Sequence, residues 1–410
     1  MNQNSVFNCK VLILNGESRN GLAIIRSLSR NGYLCDIVTY TNAINQKLPF
    51  LFKSKYVRKV HCLARLNDED KFLHEFINLL KFHKYDFIIP AGTEYSNFLS
   101  KYKNDIAIFS QPLIENYEKI WHVHNKINCM LWAESIGVPV PKTFVIKNLN
   151  DLIAAANQIN FPVVIKNPDS FASEGLWTCS DGAEKLLEEY KRRIPQIVTG
   201  VEREFPIIQK KITGQLFDST SFVIKGQTVG MLTQERILTA WLDGGGGLVN
   251  ITNDIPEIKE YTQKIIKELK WTGPIEMDWI KDSDSGRYYL IEINPKFWGT
   301  TQLTISSGLD YPDFLMRFAT NKPIKKISEY KIGLMYRWIM DELFAILTMS
   351  QNRQRLFAEI KGFIERFNYR PVETDVWISD IKPSLKKFIS LSISYFLKGG
   401  ILKTLKILRQ

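Results

Sequence analysis

Histidine is missing from most of the chain. All five (His61, His74, His83, His122 and His124) lie in the first third of the 410 residues. Chemistry carried by the remaining two thirds therefore uses no imidazole as acid, base or ligand. Cysteine is sparse too: Cys9, Cys35, Cys62, Cys129 and Cys179 are scattered, odd in number and nowhere closely paired. That excludes a disulfide framework and a cysteine zinc site, and fits a reducing cytoplasm. Neither phosphate-binding glycine motif is present. There is no GxxxxGK[ST], so this is no P-loop enzyme, and Gly16 and Gly21 do not have GxGxxG spacing. No run of about eighteen apolar residues occurs, so no transmembrane helix is expected. The opening "MNQNSVFNCKVLILNG" lacks a basic stretch followed by an apolar core, so no signal peptide is expected either, and a cytoplasmic location is.

Acidic residues are absent from the last thirty positions. Lys382, Lys386, Lys387, Lys398, Lys403, Lys406 and Arg409 stand there unopposed, and supply seven of the net +11 charges. Basic charge points to nucleic acid or to an anionic membrane. No aromatic-and-basic nucleic-acid module is recognisable, so nucleic acid is not expected as a partner. The apolar stretch Phe388 to Leu397 is too short to span a bilayer. Interleaved with lysine, residues 381–410 fit either an interfacial helix at the inner face of a membrane or an ordinary helix packed on the preceding domain.

What is present is an α/β pattern. Composition is 45% hydrophobic and 24% charged, that of a folded protein, and the length calls for two to four domains. "KVLILNGESRNGLAIIRSLSRNGYLCDIVTY" reads strand, turn, helix, strand, a βαβ unit. "FIIPAGTE" adds a strand ending at Pro90. Further on come a helix around 125–135 and a strand at 143–146. A helix at 151–158 is followed by the strand "FPVVIK", ending in Lys166. Next come "LWTCS", a helix at 183–193, the strand "FPIIQK" and the hairpin "STSFVIKGQTVGM". "WLDGGGGLVN" reads as a flexible loop. A helix at 256–269 precedes a second hairpin, and from about 326 the pattern turns helical and basic. The divisions expected are 1–115, 116–205, 206–325 and 326–410.

The second hairpin carries the chemistry. In "GPIEMDWIKDSDSGRYYLIEINP" the turn runs from Asp282 to Gly286. Residues of equal parity in an antiparallel pair share a face. Glu292 and Asn294 alone would fit a structural hydrogen-bond pair as well as a cation site. Pairing adds Glu276 and Asp278 to the same face. Three carboxylates and an amide together repel unless a cation lies between them, and oxygen ligands suit Mg²⁺ or Mn²⁺. Carboxylate-held Mg²⁺ usually comes with substrate phosphates. Groups that could hold phosphates are Lys166, the small-residue loop "ASEG" at 172–175, Lys126 and Arg236. The Gly244–Gly247 run could close over the site as a lid or be a mere linker.

These segments, "VPVPKTFVI", "FPVVIKN", "IIQKKITG", "GPIEMDWI" and "LIEINPKFWGT", resemble in order and spacing the ATP-grasp superfamily. The resemblance is nearest to its carboxylate–amine ligase branch, which includes carbamoyl-phosphate synthetase and biotin carboxylase, and it covers about Lys126 to Gly308. It implies a pre-grasp βαβ domain followed by two lobes, each with an antiparallel sheet, and ATP between them. It further implies that Lys166, Lys126 and the loop residues Ser173 and Gly175 meet phosphates. Gln209 to Ile212 would form the adenine hinge, with backbone contacts at Lys211 and Ile212, and Asp218 would lie near the ribose. Asp278, Glu292 and Asn294 would hold one or two Mg²⁺ ions, and Arg236 and Lys296 would meet the transferring phosphate or the acyl intermediate. Lys296 stands where the family usually has arginine, and the 172–175 loop has one glycine where relatives have several. The activity implied is ATP-dependent amide formation through an acyl phosphate. The alternatives are a bicarbonate-using carboxylase and a non-catalytic nucleotide-binding protein working at a membrane surface. Small carboxylate and amine substrates are the expected partners.

Overall fold

The computed structural model describes residues 9–40, 53–169, 176–200, 203–241, 244–349, 352–397 and 400. Three sheets organise them. The first is parallel, with β1 (Lys10–Leu14), β2 (Leu34–Tyr40), β3 (Lys59–Leu63), β4 (Phe87–Pro90) and β5 (Gln111–Pro112) in the order β3-β2-β1-β4-β5. Val11 to Leu14 are wholly buried, as expected of a parallel strand covered on both faces. The Arg19–Arg30 helix follows β1. Its cap, Ser18, accepts from the Gly21 amide at 3.0 Å. A Cβ on Gly21 would lie 2.8 Å from the Asn15 carbonyl oxygen, so the tight strand-to-helix turn needs glycine. Chain order reverses between β1 and β4. The crevice outside the carboxyl ends of those strands is where a doubly wound sheet binds ligands.

The second sheet is small and antiparallel: β6 (Thr143–Ile146), β7 (Val163–Lys166), β8 (Trp177–Cys179) and β9 (Phe205–Lys210), in the order β6-β9-β7-β8. It is roofed by the Leu149–Gln158 and Ala183–Arg193 helices over a core of its own. Placing a division at 206 would cut β9, which lies in the middle of this sheet.

The third sheet is the largest. It comprises β10 (Gly214–Ile224), β11 (Gln227–Trp241), β12 (Gly244–Asn253), β13 (Gly273–Asp282), β14 (Tyr288–Asn294), β15 (Met335–Arg337) and β16 (Val372–Thr374), in the order β14-β13-β10-β11-β12-β15-β16. The β10–β11 turn has positive φ at both Lys225 and Gly226, the requirement of a type I′ hairpin.

Two expectations change here. Gly244–Gly247 is neither lid nor linker. It begins β12, paired with Thr239 and Trp241 of β11. Gly245 has φ of 90°, which favours glycine, and a Cβ on Gly247 would meet the Asn250 side chain at 2.1 Å. Residues beyond 326 are not only helical, since β15 and β16 extend the large sheet. Around them, buried Glu342 receives Arg337 at 2.8 Å and Arg366 at 2.7 Å. Asp380 receives Arg26 at 2.9 Å and Ser54 at 2.7 Å, tying this region to the first sheet's helix.

Candidate active site

Strand register brings the acids together. Asp278 is the Cα partner of Glu292 on one side and of Asp218 on the other; Glu276 partners Asn294 and Thr220. The equal-parity expectation for Glu276, Asp278, Glu292 and Asn294 therefore holds, and β10 adds a further carboxylate. Oxygens of Asp218, Glu276 and Asp278 lie within 4.8 Å of one another. Burial first, and neighbouring carboxylates second, push Glu276 well above the usual carboxylate range. Asp218 and Glu292 are also raised, by burial first and then with Asp278 adding to it against the pull of nearby cations.

Arg236, on β11, partly answers that charge. Its guanidinium binds both Asp218 oxygens, lies 2.8 Å from Asp278 Oδ2 and donates to the Gly245 carbonyl at 3.2 Å. Gln234 donates to Asp218 Oδ2 at 2.7 Å, the oxygen that Arg236 Nε also binds. Asp218 is wholly buried. A surface that a ribose could reach is not its place. It belongs instead to the floor of the acid cluster.

Glu292 looks the other way, toward cations. Lys126, Lys296 and Lys166 all pull its carboxyl back toward ionisation. Lys126 opens the Lys126–Ser135 helix; burial lowers its pKa and Glu292 opposes the shift. Lys166 ends β7, in the small sheet. Burial lowers its ammonium to about 8, with Lys126 adding to the effect and Glu292 and Asp278 opposing it. Its Nζ donates to Gln209 Oε1 at 2.8 Å, and Gln209 Nε2 donates to Thr143 Oγ1 at 2.9 Å. Gln209 is buried, so the small sheet holds this lysine in a fixed position. In the hinge segment, the Lys211 amide is already committed to the Pro162 carbonyl at 2.9 Å, and Ile212 is half-buried. Ser173 and Gly175 lie outside the described residues.

Lys296 borders a cavity of about 320 Å³ between the first sheet and the large one, with Pro90, Gln111 and Glu115 on one wall and Trp271 and Phe297 on the other. Arg19, the first residue of the helix after β1, points to a separate small hollow with Gln302, Tyr336 and Trp338. It reaches the Gly247 carbonyl at 3.2 Å and lies over the Trp338 ring at 4.9 Å. Asn20 donates to the Phe297 carbonyl at 3.0 Å, so the switch-point crevice opens against the segment that follows the acids. Neither contact has a local sequence signal, because each joins positions more than two hundred residues apart.

The donor set suits a hard divalent cation. Every ligand atom offered is oxygen, and the buried acids stay raised despite the nearby arginine and lysines. Among the described residues no helix is long and apolar enough to cross a membrane.

Residues 123–300 match the ATP-grasp domain family. The chain is similar to the carbamoyl phosphate synthase large chain of Agathobacter rectalis, 25% identical over 239 residues; the match covers 57% of this chain and 20% of that protein. The chain thus spans about a fifth of that relative's length. Among solved structures it is similar in fold to the biotin carboxylase domain of Hydrogenobacter thermophilus 2-oxoglutarate carboxylase, with a TM-score of 0.63, 17% identity, and 80% of this chain and 73% of that one covered. It is also similar in fold to an L-amino acid ligase from Bacillus licheniformis, with a TM-score of 0.56, 17% identity, and 78% and 75% covered.

Proposed function

With residues 123–300 an ATP-grasp domain homologous to those of carbamoyl phosphate synthase and biotin carboxylase, we propose that this ATP-dependent enzyme joins a carboxylate to an amine. The observation that carries the reading is the opposition of two charge sets. Asp218, Glu276, Asp278 and Glu292 line the large sheet, while Lys166 and Lys126 reach toward them from the small sheet and its neighbouring helix.

ATP would lie between the two sheets. Lys166, held by Gln209, and Lys126 would bind its phosphates, and the 209–212 segment would border the adenine. Asp278, Glu292 and Asn294, with Glu276 and Asp218 in the same cluster, would hold a divalent cation, which would supply positive charge at phosphate oxygens. A carboxylate oxygen of the first substrate attacks the γ-phosphorus. The bond from that phosphorus to the β–γ bridging oxygen breaks, and ADP leaves. Lys296 and Lys166 offset the charge on the transferring group. The amine then attacks the acyl carbon, the carbon–oxygen bond to phosphate breaks, and the nitrogen loses a proton to give the amide. Arg236 keeps the acids in place and acts as a positioning residue. The cavity beside Lys296 and the switch-point crevice offer room for the two small substrates. The likeness to an L-amino acid ligase supports this reading.

The test is ADP release with hydroxylamine present, across amino acids and other small carboxylates. Hydroxylamine converts an acyl phosphate to a hydroxamate. A carboxylate-dependent hydroxamate is expected. ADP release that depends on bicarbonate and yields no hydroxamate would turn the assignment to a carboxylase.

A further inference from the structure

The Lys382–Leu397 helix is amphipathic in the reverse sense. Its inward side holds polar groups beside Pro383 and the Phe344 contacts of Phe388 and Tyr395: Ser384 and Lys387 are buried, Ser384 Oγ donates to the Asp375 carbonyl at 3.2 Å, and Lys387 Nζ binds Asp341 and lies 3.6 Å from Asp375. Its outward side is apolar. Ile381, Leu385, Ile389, Ile393 and Leu397 form an unbroken i, i+4 row, with Phe388 and Phe396 beside it, each between 41% and 77% exposed. A surface helix ordinarily buries its apolar stripe and wets its charges. Rotating this helix to do so would break the Lys387 contacts with Asp341 and Asp375. The ion pairs therefore fix the apolar row outward. A contiguous exposed patch of this kind marks an interaction surface.

Charge chooses the occupant. Lys382 is exposed at the start of the helix, and the sequence from Ile381 to Gln410 has seven basic residues and no acid. A second copy packing symmetrically would set this basic segment against itself. An anionic lipid surface complements both features, attracting the lysines and admitting the apolar row. The sixteen residues are too short to cross a bilayer. We propose that the Lys382–Leu397 helix docks in the plane of an anionic membrane surface, with the row Ile381–Leu397 inserted. This goes beyond the catalytic reading and does not depend on it.

The test is sedimentation of the full chain with phosphatidylcholine vesicles, with and without about 30% phosphatidylglycerol. Binding at least about tenfold stronger to the anionic vesicles is expected, weakening as salt rises from about 0.05 to 0.5 M. Ile389→Ser with Phe396→Ser should lower that binding at least about tenfold. Both side chains are exposed, so the thermal transition should stay where it is. Lys382→Gln with Lys386→Gln is the second variant, expected to weaken binding through charge alone. Absence of anionic-vesicle binding, or binding undiminished by both double variants, overturns the proposal. So does a concentration-dependent dimer that the Ile389/Phe396 variant dissolves. A chain that binds vesicles yet releases no ADP would refute the catalytic reading and leave this one standing.

Discussion

Asp278 and Glu292 face each other across β13 and β14 as Cα partners: Arg236 lies 2.8 Å from Asp278, Lys126 and Lys296 act on Glu292, and Lys166 acts on both. Both carboxylates offer oxygen ligands of the kind a hard divalent ion takes. Glu292→Ala should therefore lower ATP turnover by at least about a hundredfold, roughly 2.7 kcal/mol of transition-state stabilisation. It should also raise the Mg²⁺ concentration needed for half-maximal rate. ADP release titrated with Mg²⁺ checks both. Near-normal turnover in this variant would end the metal assignment.

Lys166 owes its position to Gln209, which accepts from its Nζ at 2.8 Å and is itself held by Thr143. Gln209→Leu keeps the lysine's charge and removes its guide. Binding of a non-hydrolysable ATP analogue should weaken about tenfold, or about 1.4 kcal/mol. Lys166→Met, which also deletes a charge-assisted contact, should weaken it further. Calorimetric titration of the two variants gives the order. Equal affinities in wild type and Gln209→Leu would mean that the small sheet alone fixes the lysine.

The acid face was legible because a hairpin is local. Once the Asp282–Gly286 turn is recognised, parity sets Glu276 and Asp278 beside Glu292 and Asn294 without knowledge of the rest. Asp218 was misplaced because it reaches the cluster through β10–β13 pairing across some sixty residues, and nothing in the intervening chain states that register. Gly244–Gly247 reads as a loop because glycine is depleted in strands. Here the glycines suit a strand because Gly245 has positive φ and the Asn250 side chain lies where a Gly247 Cβ would be. β15 and β16 have three residues each, too few to show a period of two. The outward apolar row after Ile381 was visible as a pattern, but its direction was not. The helical period shows an apolar face and leaves open which side faces the protein, and the buried Lys387 contacts decide that.

Gly214 begins β10 at the point where that strand meets the end of β13. A Cβ there would lie 1.8 Å from the Lys281 carbonyl oxygen, a backbone atom that cannot swing aside. Gly214→Ala should separate the two strands at this end, costing about 1–3 kcal/mol. The strain lies four residues from Asp218, so turnover should fall with stability. Thermal unfolding and ADP release measured on the same preparation check the linkage. Unchanged values for both would show that the close approach carries no register information.

Asp36, on β2, is wholly buried and far from the acid cluster in sequence. Burial alone would raise its pKa. The His61 ring 3.8 Å away, together with hydrogen bonds from Arg58 at 2.6 and 2.7 Å and from Tyr85 at 2.6 Å, outweighs that and holds the carboxyl well below its ordinary value. The unfolded chain, with a pKa of about 3.9, binds the proton more readily than the folded one. The stabilisation is thus complete above about pH 4 and is lost as the pH falls from there toward the folded value. Asp36→Asn leaves Arg58 without its carboxylate and should cost about 3 kcal/mol at pH 7. Because the variant has no proton to gain, its deficit against wild type should shrink as the pH drops below about 4. Urea unfolding at pH 7 and pH 3 reads both quantities, and a deficit that stays constant between them would show that Asp36 is not the group that titrates.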